Sequence, residues 1–123
     1  MGIKGFKDLA VWQKAKDLAV LVYKMSNGAM PGLDFGLKDQ MRRSAVSVAS
    51  NLAEGDERDT DRESIRYFYI AKGSVAELRT QLQIAHESGH LSNTIYETLE
   101  KEYDTLGKRI GKQIRTRRKS TRP

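Results

Sequence analysis

Hydrophobic residues recur every three or four positions along most of the chain, which is the spacing of one α-helix face. In the first segment they are Val11, Ala15, Leu18, Val22 and Met25. Three later segments repeat this spacing, and no alternating pattern typical of a β-strand competes with it. The pattern therefore predicts an all-α chain of four helices. The core positions predicted for the later three helices are Met41, Ala45, Val48, Leu52, Phe68, Ala71, Val75, Leu78, Leu82, Ala85, Ile95, Leu99, Tyr103, Leu106, Ile110 and Ile114.

Turn-forming and capping residues predict where the first two helices begin and end. Asn27-Gly28 predicts a left-handed end of the first helix, and Pro31-Gly32 predicts a turn after it. The second helix is expected from about Asp34 to Glu54, with Gly55 as its C-terminal cap. The connection between these two helices is therefore short.

The third and fourth helices are also marked by their ends. Thr60 and Glu63 have the spacing of a capping box, which predicts the start of the third helix. Gly89 predicts its end, and the fourth helix is expected to begin near Ser92. Because short connections make successive helices antiparallel neighbours, the expected architecture is an up-down-up-down antiparallel four-helix bundle.

The first two helices have apolar faces wider than one bundle core requires. This pattern predicts self-association through these helices. A deeper position of both helices within the monomer explains the same pattern equally well. The residues expected at the oligomer interface are Trp12, Ala19, Tyr23, Val46, Ala49 and Ala53.

Positive charge is concentrated at the C-terminal end. The chain has 22 Lys+Arg and 16 Asp+Glu, a net charge of +6. Eight of the basic residues and none of the acidic ones lie in residues 108–123. Residues 1–107 are therefore expected to form the bundle body with most of the fourth helix, and residues 108–123 the basic end of that helix and a C-terminal tail. Such segments bind polyanions, nucleic acid first, although a solubilising tail is the alternative. The expected phosphate contacts are Lys108, Arg109, Lys112, Arg115, Arg117, Arg118 and Lys119.

The third helix carries a second, weaker basic band. Arg62, Arg66 and Lys72 lie opposite its apolar stripe, and Tyr69 lies among them. Basic side chains interleaved with an aromatic ring can contact phosphates and stack on an unpaired base. An ordinary solvated face is an equally good interpretation. These three basic residues are therefore secondary candidates for nucleic-acid binding.

One short motif suggests metal chemistry. The run from His86 to His90 reads HESGH, which matches the zinc-hydrolase string H-E-x-x-H. That chemistry needs both histidines on one continuous helix, whereas Gly89 predicts a helix end between them. The chain has no cysteine, which excludes disulfides and Cys-ligated metal sites. We expect no metal, cofactor or enzymatic activity, with a zinc hydrolase as a remote alternative.

No segment of the sequence is suited to a membrane. The longest uncharged apolar run extends from Leu18 to Tyr23, which is far shorter than a bilayer span. The N-terminal residues also lack the pattern of a signal peptide. We expect a cytoplasmic protein with no membrane partner.

Several longer runs resemble one protein family over residues 6–91. They are FKDLAVWQKA at 6–15, FGL at 35–37, QMRRSAVS at 40–47, SNLAEG at 50–55 and IAKGS at 70–74. These runs resemble the four-helix-bundle proteins encoded in intervening sequences of bacterial 23S ribosomal RNA genes. The fold is also similar to that of retroelement accessory proteins, which bind nucleic acid and a reverse transcriptase.

The resemblance implies a homo-oligomer, a pentamer, with no known catalytic activity. The family's motif residues fall here on Arg42, Arg43, Asn51, Glu54 and Gly73, for which a structural role is the default expectation. Gly73 inside a helix predicts a close approach of two helices. The leading hypothesis is a non-enzymatic homo-oligomeric adaptor that binds RNA or DNA. The alternative is a protein-interaction scaffold, for example a partner of a reverse transcriptase.

Overall fold

The computed structural model describes residues 5–28, 32 and 34–120. These residues form a short 3-10 turn at Phe6–Asp8 and four α-helices: α1 at Ala10–Gly28, α2 at Phe35–Asp56, α3 at Asp61–Glu87 and α4 at Asn93–Ser120. No β-strand occurs in this part of the chain. The predicted all-α architecture with four helices is therefore confirmed.

Side-chain caps start three of the helices, and the sequence predicted the cap of α3. The carboxylate of Asp34 accepts a hydrogen bond from the backbone N–H of Leu37 at 2.8 Å and caps α2. Thr60 accepts one from the N–H of Glu63 at 3.2 Å and caps α3. The hydroxyl of Ser92 accepts one from Ile95 at the start of α4. Each cap pairs a backbone donor that the first helical turn leaves free.

Two of the predicted helix ends are wrong. Gly28 is the last residue of α1 and does not have a positive φ, which among the described glycines occurs only at Gly32 and Gly89. Gly55 is not a cap but a buried residue inside α2, because that helix continues to Asp56. The predicted turn at Pro31-Gly32 falls partly outside the described residues, since Pro31 is not among them.

The glycines at helix contacts are not the ones that the sequence suggested. A Cβ at Gly55 would lie 2.8 Å from the ring of Phe68, so this glycine allows α2 and α3 to pack closely. A Cβ at Gly107 of α4 would lie 3.4 Å from Val75 of α3. A Cβ at Gly73 would meet nothing within 4 Å, and that residue is exposed. The predicted close approach at Gly73 is therefore wrong within this chain.

The predicted helical stripes form one core. Of the positions expected to face inward, all are buried except Met25 and Ile95, which are half-buried at its edge. α3 packs extensively against both α2 and α4, whereas α1 packs mainly against α2. No helix in the described ranges has the length and apolar character needed to cross a bilayer.

Polar contacts join neighbouring helices along their length. Ser47 of α2 and Ser74 of α3 share a hydrogen bond of 2.8 Å, and Ser64 near the start of α3 donates one to the carbonyl of Gly55. Arg79 in the second half of α3 donates to Glu100 in the first half of α4 at 2.9 Å. These bonds fix the register of α3 against both of its neighbours.

Candidate nucleic-acid interface

As far as Ser120, the basic segment is a continuation of α4. The helix runs without interruption to Ser120. Beyond residue 107, Ile110 and Ile114 are buried in the same core as Leu106. The charges of residues 108–119 are consequently carried on a helix that packs against the rest of the bundle.

Four of the predicted phosphate contacts form one exposed stripe on α4. Lys108, Lys112, Arg115 and Lys119 are separated by four, three and four residues, which places them on one helix face. All four are exposed, and Lys108 pairs with Asp104 at 3.2 Å. At 1.5 Å per residue the stripe is about 17 Å long. It therefore presents cations over a length that several phosphates of one strand can share.

Arg117 does not belong to that stripe. Its guanidinium pairs with Asp56 at 3.0 Å and lies over the ring of Phe68, and its side chain is only 19% exposed. Arg117 follows Ile110 by seven residues and Ile114 by three, so it continues the core stripe of α4. That spacing is the signal by which the sequence could have separated Arg117 from the surface cations. In the structure this residue attaches the end of α4 to the end of α2.

The other predicted basic residues have different surroundings. Arg118 donates a hydrogen bond to the hydroxyl of Tyr69 on α3. Arg66 lies over the ring of Tyr67, 5.3 Å from its centroid, and Arg62 is exposed in the first turn of α3. Arg109 is half-buried on the flank of α4. The contact of Arg118 with Tyr69 therefore joins the basic end of α4 to the basic band of α3.

A groove of about 540 Å³ separates the exposed edges of α3 and α4. The fold brings together in it three of the predicted contacts, Lys72, Lys108 and Arg115. Sequence reasoning did not identify the groove, because its floor is made of glycines, which carry no charge or pattern of their own. Its lining residues include Gly73, Gly107 and Gly111.

A second groove lies between α1 and α2 and has a volume of about 480 Å³. Its lining is mainly apolar. Tyr23 and Val46 are each more than 40% exposed there, as is Val20, which the sequence analysis did not select. All six residues expected at the oligomer interface line this groove: Trp12, Ala19, Tyr23, Val46, Ala49 and Ala53.

Comparison with known proteins places this fold in a family. The sequence profile of the 23S rRNA-intervening sequence proteins matches residues 7–112. The chain belongs to this family. The membership that the sequence runs predicted is thereby confirmed.

Among solved structures, this 23S rRNA-intervening sequence protein is similar to a protein with unknown function from the S23 ribosomal protein family of Bacteroides thetaiotaomicron. The two superpose with a TM-score of 0.82 at 20% identity, over 89% of this chain and 98% of the other. The likeness supports the four-helix fold. A comparison with curated protein sequences gave no significant match.

Four of the five motif residues of this 23S rRNA-intervening sequence protein make side-chain contacts within the chain, and the exception is Gly73. Arg42 donates to Ser26 at 2.8 Å and lies over the ring of Tyr23, which joins α2 to α1. Asn51 donates to the carbonyl of Ser47 one turn earlier in α2. The remaining two make ion pairs one helical turn away: Arg43 with Asp39, and Glu54 with Arg58.

The HESGH segment of the 23S rRNA-intervening sequence protein is the end of a helix. α3 stops at Glu87 and Gly89 has a φ of 86°, so His90 lies outside the helix that carries His86. The ring of His86 stacks on Tyr96 at 4.4 Å and shares a hydrogen bond with Asn93. Within the described ranges, no group of three or more His, Asp or Glu side chains is placed to hold a metal ion.

Proposed function

We propose that this 23S rRNA-intervening sequence protein is a non-enzymatic, cytoplasmic adaptor that binds RNA or DNA as a homo-oligomer. The observation that carries this proposal is the exposed stripe of Lys108, Lys112, Arg115 and Lys119 on α4. The family's name refers to an RNA gene, which agrees with a polyanionic partner.

The packing of α4 supports a preformed cationic surface. Because Ile110 and Ile114 are buried and Arg117 is paired with Asp56, the helix that carries the stripe is held against the bundle. A phosphate strand then meets cations whose spacing is already set. Most of the affinity would come from counterion release and would fall steeply with salt.

The proposed assembly is a pentamer of up-down-up-down antiparallel bundles. The contact of Arg117 near the end of α4 with Asp61 at the start of α3, at 4.0 Å, and that of Arg79 with Glu100 support antiparallel packing of α3 and α4. The apolar groove between α1 and α2 supports self-association, since exposed Val20, Tyr23 and Val46 would become buried by a second copy. Repeating the stripe on each subunit would raise the avidity for one long polyanion.

The test is binding of a fluorescently labelled structured RNA and a duplex DNA, followed by anisotropy at about 50 and about 200 mM salt. Point substitutions are required, because truncation after residue 107 would remove Ile110 and Ile114 from the core. The triple variant Lys112→Gln, Arg115→Gln and Lys119→Gln is compared with a charge-matched control that lies away from the stripe. That control carries glutamine in place of Lys7 before α1 and of Lys38 and Arg43 on α2.

We expect the stripe variant to bind at least about tenfold more weakly at the lower salt. The slope of the logarithm of its binding constant against the logarithm of the salt concentration should be shallower by about 0.7–0.9 for each phosphate that the variant no longer neutralises. The affinity of the control should fall far less. Equal reductions for both variants would show that net charge and not the stripe determines binding. Absence of binding by the unmodified protein at the lower salt would refute the adaptor function.

A protein-interaction scaffold, for example a partner of a reverse transcriptase, is the second candidate. The groove between α1 and α2 favours it, because an apolar surface of this kind accommodates a protein as well as a second copy. Light scattering separates the two uses of the groove. A monomer at every concentration would contradict self-association and leave the groove available to another protein.

A further inference from the structure

The two ends of the groove between α3 and α4 differ in charge. At one end Arg79 donates to Glu100 at 2.9 Å and pairs with Asp104 at 3.3 Å, and Asp104 also pairs with Lys108. The hydrogen bond to Glu100 raises the pKa of Arg79 above its ordinary value. Two cations and two carboxylates thus neutralise each other, so this end has no excess charge to attract a ligand.

At the other end two cations meet without a carboxylate. Lys72 reaches over the floor from α3 and Arg115 from α4. A Cβ built on Gly111 between them would lie 3.5 Å from Arg115 Nη1 and 4.0 Å from Lys72 Nζ. Neither side chain forms an ion pair or a hydrogen bond with another described residue. Two like charges held this close repel each other and favour a shared anion between them.

The glycines of the groove let the two cations come together and leave open space beside them. Gly111 has no side chain, so the ends of Arg115 and Lys72 lie over it and bury it, and on α3 a Cβ at Gly73 would meet nothing within 4 Å. Glycine in a helix costs about 1 kcal/mol relative to alanine, and at Gly73 no packing contact offsets this cost. The ring of Tyr69 lines the same end of the groove and is 47% exposed, although the guanidinium of Arg118 lies 5.7 Å from its centroid.

We propose that Lys72 and Arg115 bind one backbone phosphate of an unpaired nucleic-acid strand above Gly111. The inference rests on the proposed nucleic-acid-binding function and gives it a defined subsite. A guanidinium presents two parallel donors to phosphate oxygens, and an ammonium adds a point charge. A groove between two adjacent helices admits a single strand but not a duplex, and Tyr69 offers a ring on which an unpaired base can stack.

The experiment compares two double variants of the full chain that remove equal charge. Lys72→Gln with Arg115→Gln removes the pair above Gly111, whereas Lys112→Gln with Lys119→Gln removes two exposed lysines that do not line the groove. The probe is a labelled single-stranded RNA of about 20 nucleotides at about 50 mM salt, with the same strand annealed into a duplex as the second arm. Far-UV circular dichroism confirms that all variants remain helical.

For the single strand we expect the groove variant to bind about tenfold more weakly, equivalent to about 1.4 kcal/mol, and the control only about two- to threefold more weakly. For the duplex the affinities of the two variants should fall equally. A third variant, Gly111→Ala, keeps every charge and adds a methyl group in ordinary contact with Arg115. It should weaken single-strand binding several-fold without lowering thermal stability, because alanine favours the helix.

Each alternative result has a distinct meaning. If the unmodified protein binds RNA but the groove variant binds it no more weakly than the control does, the subsite is refuted and the adaptor function stands. If the groove variant weakens duplex binding as much as single-strand binding, the assignment to an unpaired strand is refuted. If the unmodified protein binds neither probe, the adaptor function fails and the subsite fails with it.

Discussion

Two helix glycines should respond in opposite directions to the same substitution. Gly73 of α3 is exposed and a Cβ there meets nothing within 4 Å. Gly55 of α2 is buried, and a Cβ there would lie 2.8 Å from Phe68 Cδ1 and Cε1 and 3.1 Å from the carbonyl oxygen of Ser64. The pair therefore separates the intrinsic helix preference of alanine from the space available at each position.

The magnitudes follow from these surroundings. Gly73→Ala should raise the free energy of unfolding by about 0.5–1 kcal/mol, because alanine loses less backbone entropy in a helix. Gly55→Ala has the same intrinsic gain, but Phe68 is fully buried and cannot move aside without disturbing the core. Overpacking of this kind costs about 1–3 kcal/mol. We expect a net loss of about 1–2 kcal/mol at Gly55.

Urea unfolding followed by far-UV circular dichroism measures both changes. All samples must have the same protein concentration, since assembly would make stability concentration-dependent. An unchanged m-value shows that the shift of the midpoint reports stability alone. A loss of stability for Gly73→Ala would refute the open space at that position and indicate that another surface covers it. A gain for Gly55→Ala would refute the close contact between α2 and α3.

Three further predictions concern buried groups. The hydroxyl of Tyr103 is buried without a hydrogen-bond partner among the described residues, so Tyr103→Phe should raise the free energy of unfolding by about 1 kcal/mol at neutral pH in urea titrations, and a loss would reveal a partner. Burial raises the pKa of Tyr103, so above about pH 10 this tyrosine ionises in the unfolded chain but not in the folded protein. The free energy of unfolding should therefore fall there by about 1.4 kcal/mol per pH unit, and it should fall less steeply in Tyr103→Phe. Arg117→Met and Asp56→Asn should each cost about 1–3 kcal/mol, and the double variant should cost less than their sum; strict additivity would contradict the ion pair.

The repeating core positions allowed the sequence to predict four helices, because burial follows a period that a sequence displays directly. The cap at Thr60 was also predicted, since a side chain that caps a helix acts within three residues, whereas at Asp34 the sequence predicted only the approximate start of α2. The role of Gly55 was not predictable. In the sequence, a glycine close to the end of a helix has the same pattern whether it ends the helix or allows contact with a distant ring. Only the position of Phe68 decides between those roles.

The candidate site was predicted in part for a similar reason. The charge run from Lys108 onward identified the stripe, but the same run concealed Arg117, whose spacing from Ile110 and Ile114 places it on the core face. The proximity of Lys72 to Arg115 was not predicted. These two cations are 43 positions apart, and their proximity depends on how α3 and α4 pack. Long-range side-chain geometry of this kind has no signature in a single sequence.

The anchoring of α4 by Arg117 has a thermodynamic consequence. Residues 108–120 lose their conformational entropy when the protein folds. Binding of a partner afterwards therefore does not include the cost of ordering this segment. A basic tail that folds on its partner would instead gain helical signal on binding and show a large negative heat-capacity change. This protein should bind a polyanion with an unchanged far-UV spectrum and a small heat-capacity change. Under the proposed function, residues 108–120 would act as a rigid recognition element and not as a flexible tether.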